Sequence, residues 1–351
     1  VVLDRLARGL LERGHEVRVL AYELPGEEPE VPPPYALLRY RKPFSKKLGL
    51  RLKVRDLLRL HARWPFDLLH CHSAYPQAYI GAAFKRLRPM PMTVRPHGSD
   101  LVPELSGVRT NPYLERRLFH GLRAADTLIA QGDYMAGVMR AAGLPASRIQ
   151  VINNGIDLES TGDTRPMDWP RPYLFTMGRL IQRKGFDVLL RAFARLESAG
   201  VDLVIAGGGK QELELRALVA RLGLGARVHF VGVVRGAAKR RWLAGARIFV
   251  LPSRHEPFSN ALLEAMAAGR PIVASDIDGN REICRWPGAR LYPPGSDEVL
   301  ARQLAWLLAN PEEAARLGRA ARDWACAFDW EAIIDRYENL YATLLAGSAG
   351  S

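Results

Sequence analysis

The sequence predicts an α/β protein built from two doubly wound, Rossmann-like domains that face each other across a cleft. Three observations predict it. Short apolar β-rich runs alternate with helical patterns along the chain, the mark of parallel sheets with helices on both faces. A length of 351 residues suits two domains, each with its own core. The alternation breaks once, in the Pro- and Asp-rich stretch 160–172, and then restarts. The crevice beyond the carboxyl ends of such strands is the default ligand site.

Leu3–Arg13 reads as an amphipathic helix closed by Gly14, and Glu16–Ala21 as the strand after it. The chain runs from Val1–Val2–Leu3 straight into that helix, with no Met and no charged-then-apolar secretory pattern. A first strand and its turn are therefore expected upstream of this sequence. Strands at Asp67–His72, Pro91–Pro96, Asp126–Gln131 and Arg148–Ile152 complete a first domain over 1–162. In a second domain over 163–328 the strands are Tyr173–Met177, Asp202–Ala206, Val228–Val231, Ile248–Pro252 and Pro271–Ser275. Helices at Asp297–Ala309 and Pro311–Ala327 close that domain. The segment 329–351, helical over Trp330–Leu345, is a candidate to cross back to the first.

Composition excludes several classes. Apolar runs such as Leu203–Ala206 fall far short of a bilayer span. Three cysteines, Cys71, Cys284 and Cys326, lie too far apart for a disulfide scaffold or a zinc site and read as buried free thiols of a cytoplasmic protein. The net charge of +13 is uneven: Arg39–Arg63 holds ten Lys/Arg against one acid, Asp56. Within it Leu50, Val54, Leu57 and Leu58 recur at helical spacing, with Arg55, Arg59 and Arg63 opposite. Such a helix fits an anionic membrane surface on the inner face of the cell membrane, nucleic acid, or ordinary packing with a solvated face. No nucleic-acid-binding signature accompanies it, so no nucleic-acid partner is expected.

The chemistry concentrates in two stretches. In His255–Ser275, Pro252–Ser253 ends a strand and Ser259 or Asn260 can cap a helix that Gly269 stops. That helix start offers backbone N–H groups and positive dipole at a sheet edge, which suits a pyrophosphate. Glu256 precedes the helix and Glu264 lies inside it, where a carboxylate could accept two hydroxyl hydrogen bonds from a ribose. In Met177–Gly185, Gly178 turns the chain after a strand, and Arg179 and Lys184 project from the loop that follows. Both cations suit a diphosphate and the negative charge of a leaving group. His70 and His72 share one strand face and mimic a metal pair, but no third ligand follows at suitable spacing, and His72 reads at most as an acceptor contact.

These segments resemble the family 4, group 1 retaining glycosyltransferases of the GT-B fold. The E-x7-E motif of that family matches Glu256 and Glu264, and its G-R-L-x-x-x-K-G signature matches Gly178–Gly185. Val151–Asp157 resembles its N-G-V/I-D segment, Arg95–Asp100 its H-G-x-D loop, and Leu6–Val19 its first helix and second strand. The resemblance implies transfer of a sugar from a nucleotide-diphosphate sugar to a glycan, lipid-linked or small-molecule acceptor, with retention of configuration and no bound cofactor. It implies that Glu264 binds the ribose, that Arg179 and Lys184 hold the phosphates, and that Glu256 contacts the transferred sugar. His97 is implied near sugar and acceptor; Phe258, Ser259, Asn260 and Ala261 offer backbone N–H groups; Val233 lies near the base.

Two departures stand out. Pro257 replaces the commoner glycine after Glu256, and Asp278 replaces a glycine in the donor-side loop Ser275–Ile283. Asp276 and Asp278 have metal-motif spacing but lie in that loop, so metal-independent transfer is expected. Two alternatives remain at this stage: another enzyme of the same fold, such as a sugar-nucleotide epimerase or a phosphorylase, and a non-catalytic protein that binds anionic surfaces. A nicotinamide-dependent dehydrogenase is disfavoured, because Gly207–Gly208–Gly209 lacks the G-x-G-x-x-G order and the later ribose acid.

Overall fold

All strand pairs among the described residues are parallel, as short apolar strands joined through helices require. The computed structural model describes residues 2–22, 32–40, 46–98, 100–103, 105–158, 164–196 and 200–349. The chain divides into two units, Val1–Gly155 with Trp330–Ser351, and Ile156–Asp329.

In the first unit the order is α1 (Val2–Glu12), β1 (Arg18–Tyr22), β2 (Ala36–Tyr40), α2 (Lys46–Arg63), β3 (Leu69–Cys71), α3 (Tyr79–Lys85), β4 (Met92–Val94), α4 (Pro112–Arg123), β5 (Thr127–Ala130), α5 (Asp133–Ala141) and β6 (Ile149–Val151). The second unit runs β7 (Tyr173–Met177), α6 (Phe186–Ala194), β8 (Asp202–Ala206), α7 (Glu212–Arg221), β9 (Val228–Phe230), α8 (Gly236–Gly245), β10 (Ile248–Leu251), α9 (Asn260–Ala267), β11 (Ile272–Ser275), α10 (Asp278–Ile283), β12 (Arg290–Tyr292), α11 (Asp297–Ala309) and α12 (Pro311–Ala325). The last helix, α13 (Trp330–Ala349), belongs to the first unit.

The second unit carries one six-stranded sheet in the order β12-β11-β10-β7-β8-β9. Strands β7, β8, β10 and β11 are buried along their whole length, so they read as apolar runs without alternation. Winding starts at β7, proceeds outward through β8 and β9, and then crosses back to β10. The switch point therefore lies between β7 and β10. In the first unit the strands form two pieces, β1-β2 and β3-β4-β5-β6. Leu20 of β1 and Leu69 of β3 pack on one shared cluster with Leu57, Ile80 and Phe84 of α2 and α3.

On another side of the first unit, Leu6 and Leu10 of α1 meet Ile333, Ile334, Tyr337 and Leu340 of α13 and Ile129 of β5. Gly9 permits this approach: a Cβ there would lie 2.0 Å from Ile334 Cδ1. The first unit thus recruits its last helix through apolar contact, while Arg13 adds ion pairs to Glu331, Asp335 and Glu338.

Several sequence-derived bounds change. Strands β2 and β12 were not anticipated, being short and bracketed by polar or Pro residues. The junction between units falls at Gly155–Ile156 and Asp329–Trp330, where Ile156 bridges Asp329 and its N–H donates to the Phe328 carbonyl at 2.7 Å. The chain thus enters and leaves the second unit at one place. The expected boundary at 162/163 lies outside the described residues, as do Arg41, Lys42 and Ser99. Arg39 lies in β2, not in the basic helix. Cys71 and Cys284 are buried, but Cys326, the residue that caps the end of α12, is exposed. Among the described residues no helix is long and apolar enough to cross a membrane.

A polar column threads the first unit. Arg95, with 0% exposure, is the largest fully buried side chain. Its guanidinium donates to the Tyr337 hydroxyl, the Ile152 carbonyl and Asn154 Oδ1, and no carboxylate pairs with it among the described residues. Beside it the His70 ring hydrogen-bonds the Tyr341 hydroxyl through Nδ1 and stacks on His72 at 4.4 Å. Burial first, then the Arg95 charge, lower the His70 pKa from 6.5 to about 3. The same causes, with the neighbouring imidazoles, hold His72 well below its ordinary value.

Two predictions follow from this packing. Ile334→Ala should destabilise the first unit by about 2–5 kcal/mol, the cost of a core cavity, read as a lower urea midpoint. An imidazole whose pKa falls on folding is neutral in the native state, so the unfolded chain binds more protons below pH 6.5 and stability declines from there toward pH 3. Urea titrations at pH 7.5 and pH 5 should show this loss, and His70→Asn should shrink the pH-dependent part of it; an equal loss in the variant would remove His70 from the account.

Candidate functional site

The loops that leave the carboxyl ends of β7, β8, β9, β10 and β11 all emerge at one edge of the second sheet, and close backbone contacts interlock them. Gly178 N–H donates to the Ala206 carbonyl, and Leu180 N–H to that of Gly208. A Cβ on Gly207 would lie 1.9 Å from the Gly178 carbonyl oxygen, so the loop after β8 nests against the loop after β7 only with glycine there. Gly185, with a φ of 66°, ends the β7 loop in the left-handed region, and a Cβ on it would lie 2.0 Å from the Pro252 carbonyl oxygen. This contact brings the Gly178–Gly185 loop onto the segment after β10.

Charge completes the docking. Arg254 forms a bidentate pair with Asp187 at 2.7 Å for each bond and also donates to the Gln182 carbonyl. Its hydrogen-bonded partnership with Arg254 and Arg191 offsets burial and holds the Asp187 carboxyl below its ordinary pKa. Arg254 N–H donates to the Arg183 carbonyl at 2.7 Å. At the tip, Lys184 Nζ donates to Glu256 Oε2, which also accepts from Ser253 Oγ at 3.3 Å. Two residues that the sequence places 72 positions apart thus meet at the switch point.

Beyond Glu256 the chain enters α9. Ser259 is its cap: the Oγ accepts from Leu262 N–H at 3.3 Å. Phe258 turns its ring into the core, 6.3 Å from that of Phe328. The N–H groups of Phe258, Ser259 and Ala261 have no acceptor among the described residues, so the helix start carries unspent donors and positive dipole. Asn260 occupies the first helical position and is exposed. Glu264 lies one turn further in and accepts from Lys239 Nζ of α8 at 2.8 Å. Arg179 is exposed, and no side-chain partner engages it among the described residues. Val233 is 63% exposed after β9, with its Cγ2 beside Gly208. Gly279 backs the site: a Cβ there would lie 1.8 Å from the Glu256 carbonyl oxygen. Asp276 and Asp278 are both engaged by Arg281.

The first unit carries the histidine loop separately. Asp100, 7% exposed, accepts from His97 N–H at 2.8 Å, Ala74 N–H at 2.6 Å and Ser73 Oγ at 3.0 Å. The acid of the H-G-x-D segment thus ties the loop down, while the exposed His97 ring stacks on His72 at 5.6 Å. Crowding by the surrounding protein and the Arg95 charge lower the His97 pKa, and Asp100 opposes them. Among the described residues no group of three His, Cys, Asp or Glu could hold a metal ion.

Sequence reasoning missed Lys239, which sits in a run of basic residues with no motif around it, and Arg254, whose role appears only once Asp187 is beside it. It also treated Lys184 and Glu256 as separate contributors, where the fold joins them.

Comparison with known proteins fits this geometry. The profile of the glycosyl transferases group 1 matches residues 166–324, and that of glycosyltransferase family 4 matches residues 1–160. The lipopolysaccharide core biosynthesis glycosyltransferase LpsE of Rhizobium meliloti is 30% identical over 262 residues, 72% of this chain and 75% of that protein. Among solved structures, sucrose-phosphate synthase from Thermosynechococcus elongatus matches with a TM-score of 0.84 at 24% identity, over 98% of this chain and 92% of that one. HepE of Anabaena in complex with UDP-glucose matches with a TM-score of 0.79 at 20% identity, over 93% and 100%. This chain belongs to the family 4, group 1 glycosyltransferases, and it is a glycosyltransferase of the GT-B fold.

Proposed function

We propose that this glycosyltransferase moves a sugar from a nucleotide-diphosphate sugar to a glycan, lipid-linked or small-molecule acceptor, with retention of configuration and without a divalent metal. The observation that carries the reading is the meeting of Lys184 and Glu256 beside the unspent N–H groups that open α9. Cleaving a glycosyl–phosphate bond leaves negative charge on the departing phosphate. Arg179, Lys184 and the helix start supply fixed positive charge to receive it, in place of a metal ion. Gly178 and the backbone of Phe258, Ser259, Asn260 and Ala261 line the phosphate path. Glu264 takes the ribose, and the exposed Val233 the base.

Glu256, released from Lys184 when the phosphates arrive, faces the sugar. His97 serves sugar and acceptor as a neutral imidazole that can donate or accept one hydrogen bond. Support for a nucleotide-sugar donor comes from HepE, solved with UDP-glucose. Support for a glycan acceptor comes from the named role of LpsE in lipopolysaccharide core biosynthesis.

A lipid-linked acceptor also suits α2. Arg51, Arg55, Arg59 and Arg63 are exposed at four-residue intervals, while Leu57 is buried and Leu50, Val54 and Leu58 pack on Ile80 and Phe84. The stripe fits peripheral attachment to an anionic cytoplasmic leaflet, each charge adding about 1 kcal/mol near the surface.

Glu264→Ala should weaken nucleotide binding by about 1–3 kcal/mol, the worth of hydrogen bonds to a charged group. A thermal-shift screen of UDP, GDP, ADP and their sugars selects the ligand, and calorimetry with it reads the loss; unchanged affinity would remove Glu264 from the ribose. Retention is checked by NMR of the anomeric product, and metal independence by undiminished turnover in EDTA. Replacing Arg55, Arg59 and Arg63 with Gln should reduce sedimentation with phosphatidylserine-containing vesicles and leave nucleotide affinity intact. Equal sedimentation would discard the membrane contact.

A further inference from the structure

Lys239 stands outside every motif that marks the family resemblance, yet its ammonium is the cation that reaches the second motif glutamate. Its Nζ donates to Glu264 Oε1 at 2.8 Å, and the two side chains are 24% and 17% exposed. The partners come from different elements, α8 after β9 and α9 after β10. In the sheet, β7 and β8 separate β9 from β10, so α8 is the crossover that returns the chain past the switch point. Lys239, its fourth residue, is carried by that crossover to the side of α9.

The geometry has a chemical consequence. A carboxylate offers about four lone-pair sites on two oxygens. Lys239 takes one on Oε1, and no other salt-bridge partner approaches Glu264 among the described residues. Oε2 is left to receive donors from outside the protein, and a diol is a pair of such donors. A lysine is suited to this: one compact charge on a flexible stem fixes a carboxylate without the bidentate grip by which arginine occupies both oxygens. The pair at the other glutamate differs, because Glu256 Oε2 is already shared between Lys184 and Ser253.

We propose that Lys239 is a positioning residue that acts through Glu264, holding that carboxylate oriented for the ribose diol of the donor nucleotide. The proposal rests on the assignment of Glu264 to the ribose made above. Lys239 itself does not touch the ligand, so its effect exists only while both Glu264 and the ribose hydroxyls are present.

A double-mutant cycle on the full chain tests it. Calorimetric affinities would be measured for the wild type, Lys239→Met, Glu264→Ala and the double variant, with UDP as the probe, or with GDP or ADP where the wild type prefers one of them. Lys239→Met should weaken binding ~5–20-fold, Lys239→Arg, whose fork can take both carboxylate oxygens, should not restore it, and the double variant should bind within about 3-fold of Glu264→Ala alone, since coupled residues are non-additive. With the 2′,3′-dideoxy form of the same nucleotide, wild type and Lys239→Met should bind alike.

If the two losses multiply in the double variant, Lys239 contacts the ligand directly and the proposal is overturned. If Lys239→Met lowers the melting temperature but leaves affinity unchanged, the pair is only structural and the proposal fails. If Glu264→Ala binds like the wild type, the ribose assignment itself has failed, and the role of Lys239 goes with it.

Discussion

Contact between the Gly185 turn and the Pro252 carbonyl is the constraint on which the site depends. Side chains cannot approach a strand end as closely as this backbone does, and glycine alone tolerates both the positive φ and the missing room. Once that contact is made, Arg254 is placed to chelate Asp187, and the loop after β7 becomes rigid against the loop after β10. Two strands that are neighbours in the sheet thus deliver their loops to one point. The open positions of a switch point become a shaped surface there.

The electrostatics of that surface are balanced internally. Each motif glutamate carries a lysine from another element, Lys184 on Glu256 and Lys239 on Glu264. On the proposed reading, a ligand with two phosphates would compete for Lys184, whereas a ribose would add to the Glu264 pair without displacing Lys239, giving one exchangeable and one retained ion pair. Part-buried pairs of this kind contribute little net stability, since desolvation offsets the Coulomb gain. Their value lies in holding charged groups ready.

The first unit solves a different problem. Among the described residues no carboxylate pairs with the buried Arg95, and its charge is spread over a phenol, a carbonyl and an amide. Burial, with this charge behind it, keeps the nearby imidazoles His70 and His72 neutral, and the Arg95 guanidinium holds α13 through Tyr337. The last helix of the chain is thereby part of the first unit's polar core as well as its apolar one.

The sequence by itself determined the alternation of elements, since buried parallel strands such as Tyr173–Met177 and Asp202–Ala206 are mainly apolar runs with helical periodicity between them. It also placed the start of α9 at Ser259 or Asn260 and its stop at Gly269, because caps act through local backbone geometry, and the structure makes Ser259 the cap. Motif spacing marked Glu256, Glu264, Arg179 and Lys184 as chemistry-bearing. Only the tertiary structure decided which lysine meets which glutamate, that Arg254 locks the loop, and that β2 and β12 pair as edge strands. Pairing of residues 25 or 72 positions apart leaves no periodic trace in a chain with many exposed arginines and lysines. It follows from sheet order, and sheet order is set by how helices cover the faces, not by any local pattern.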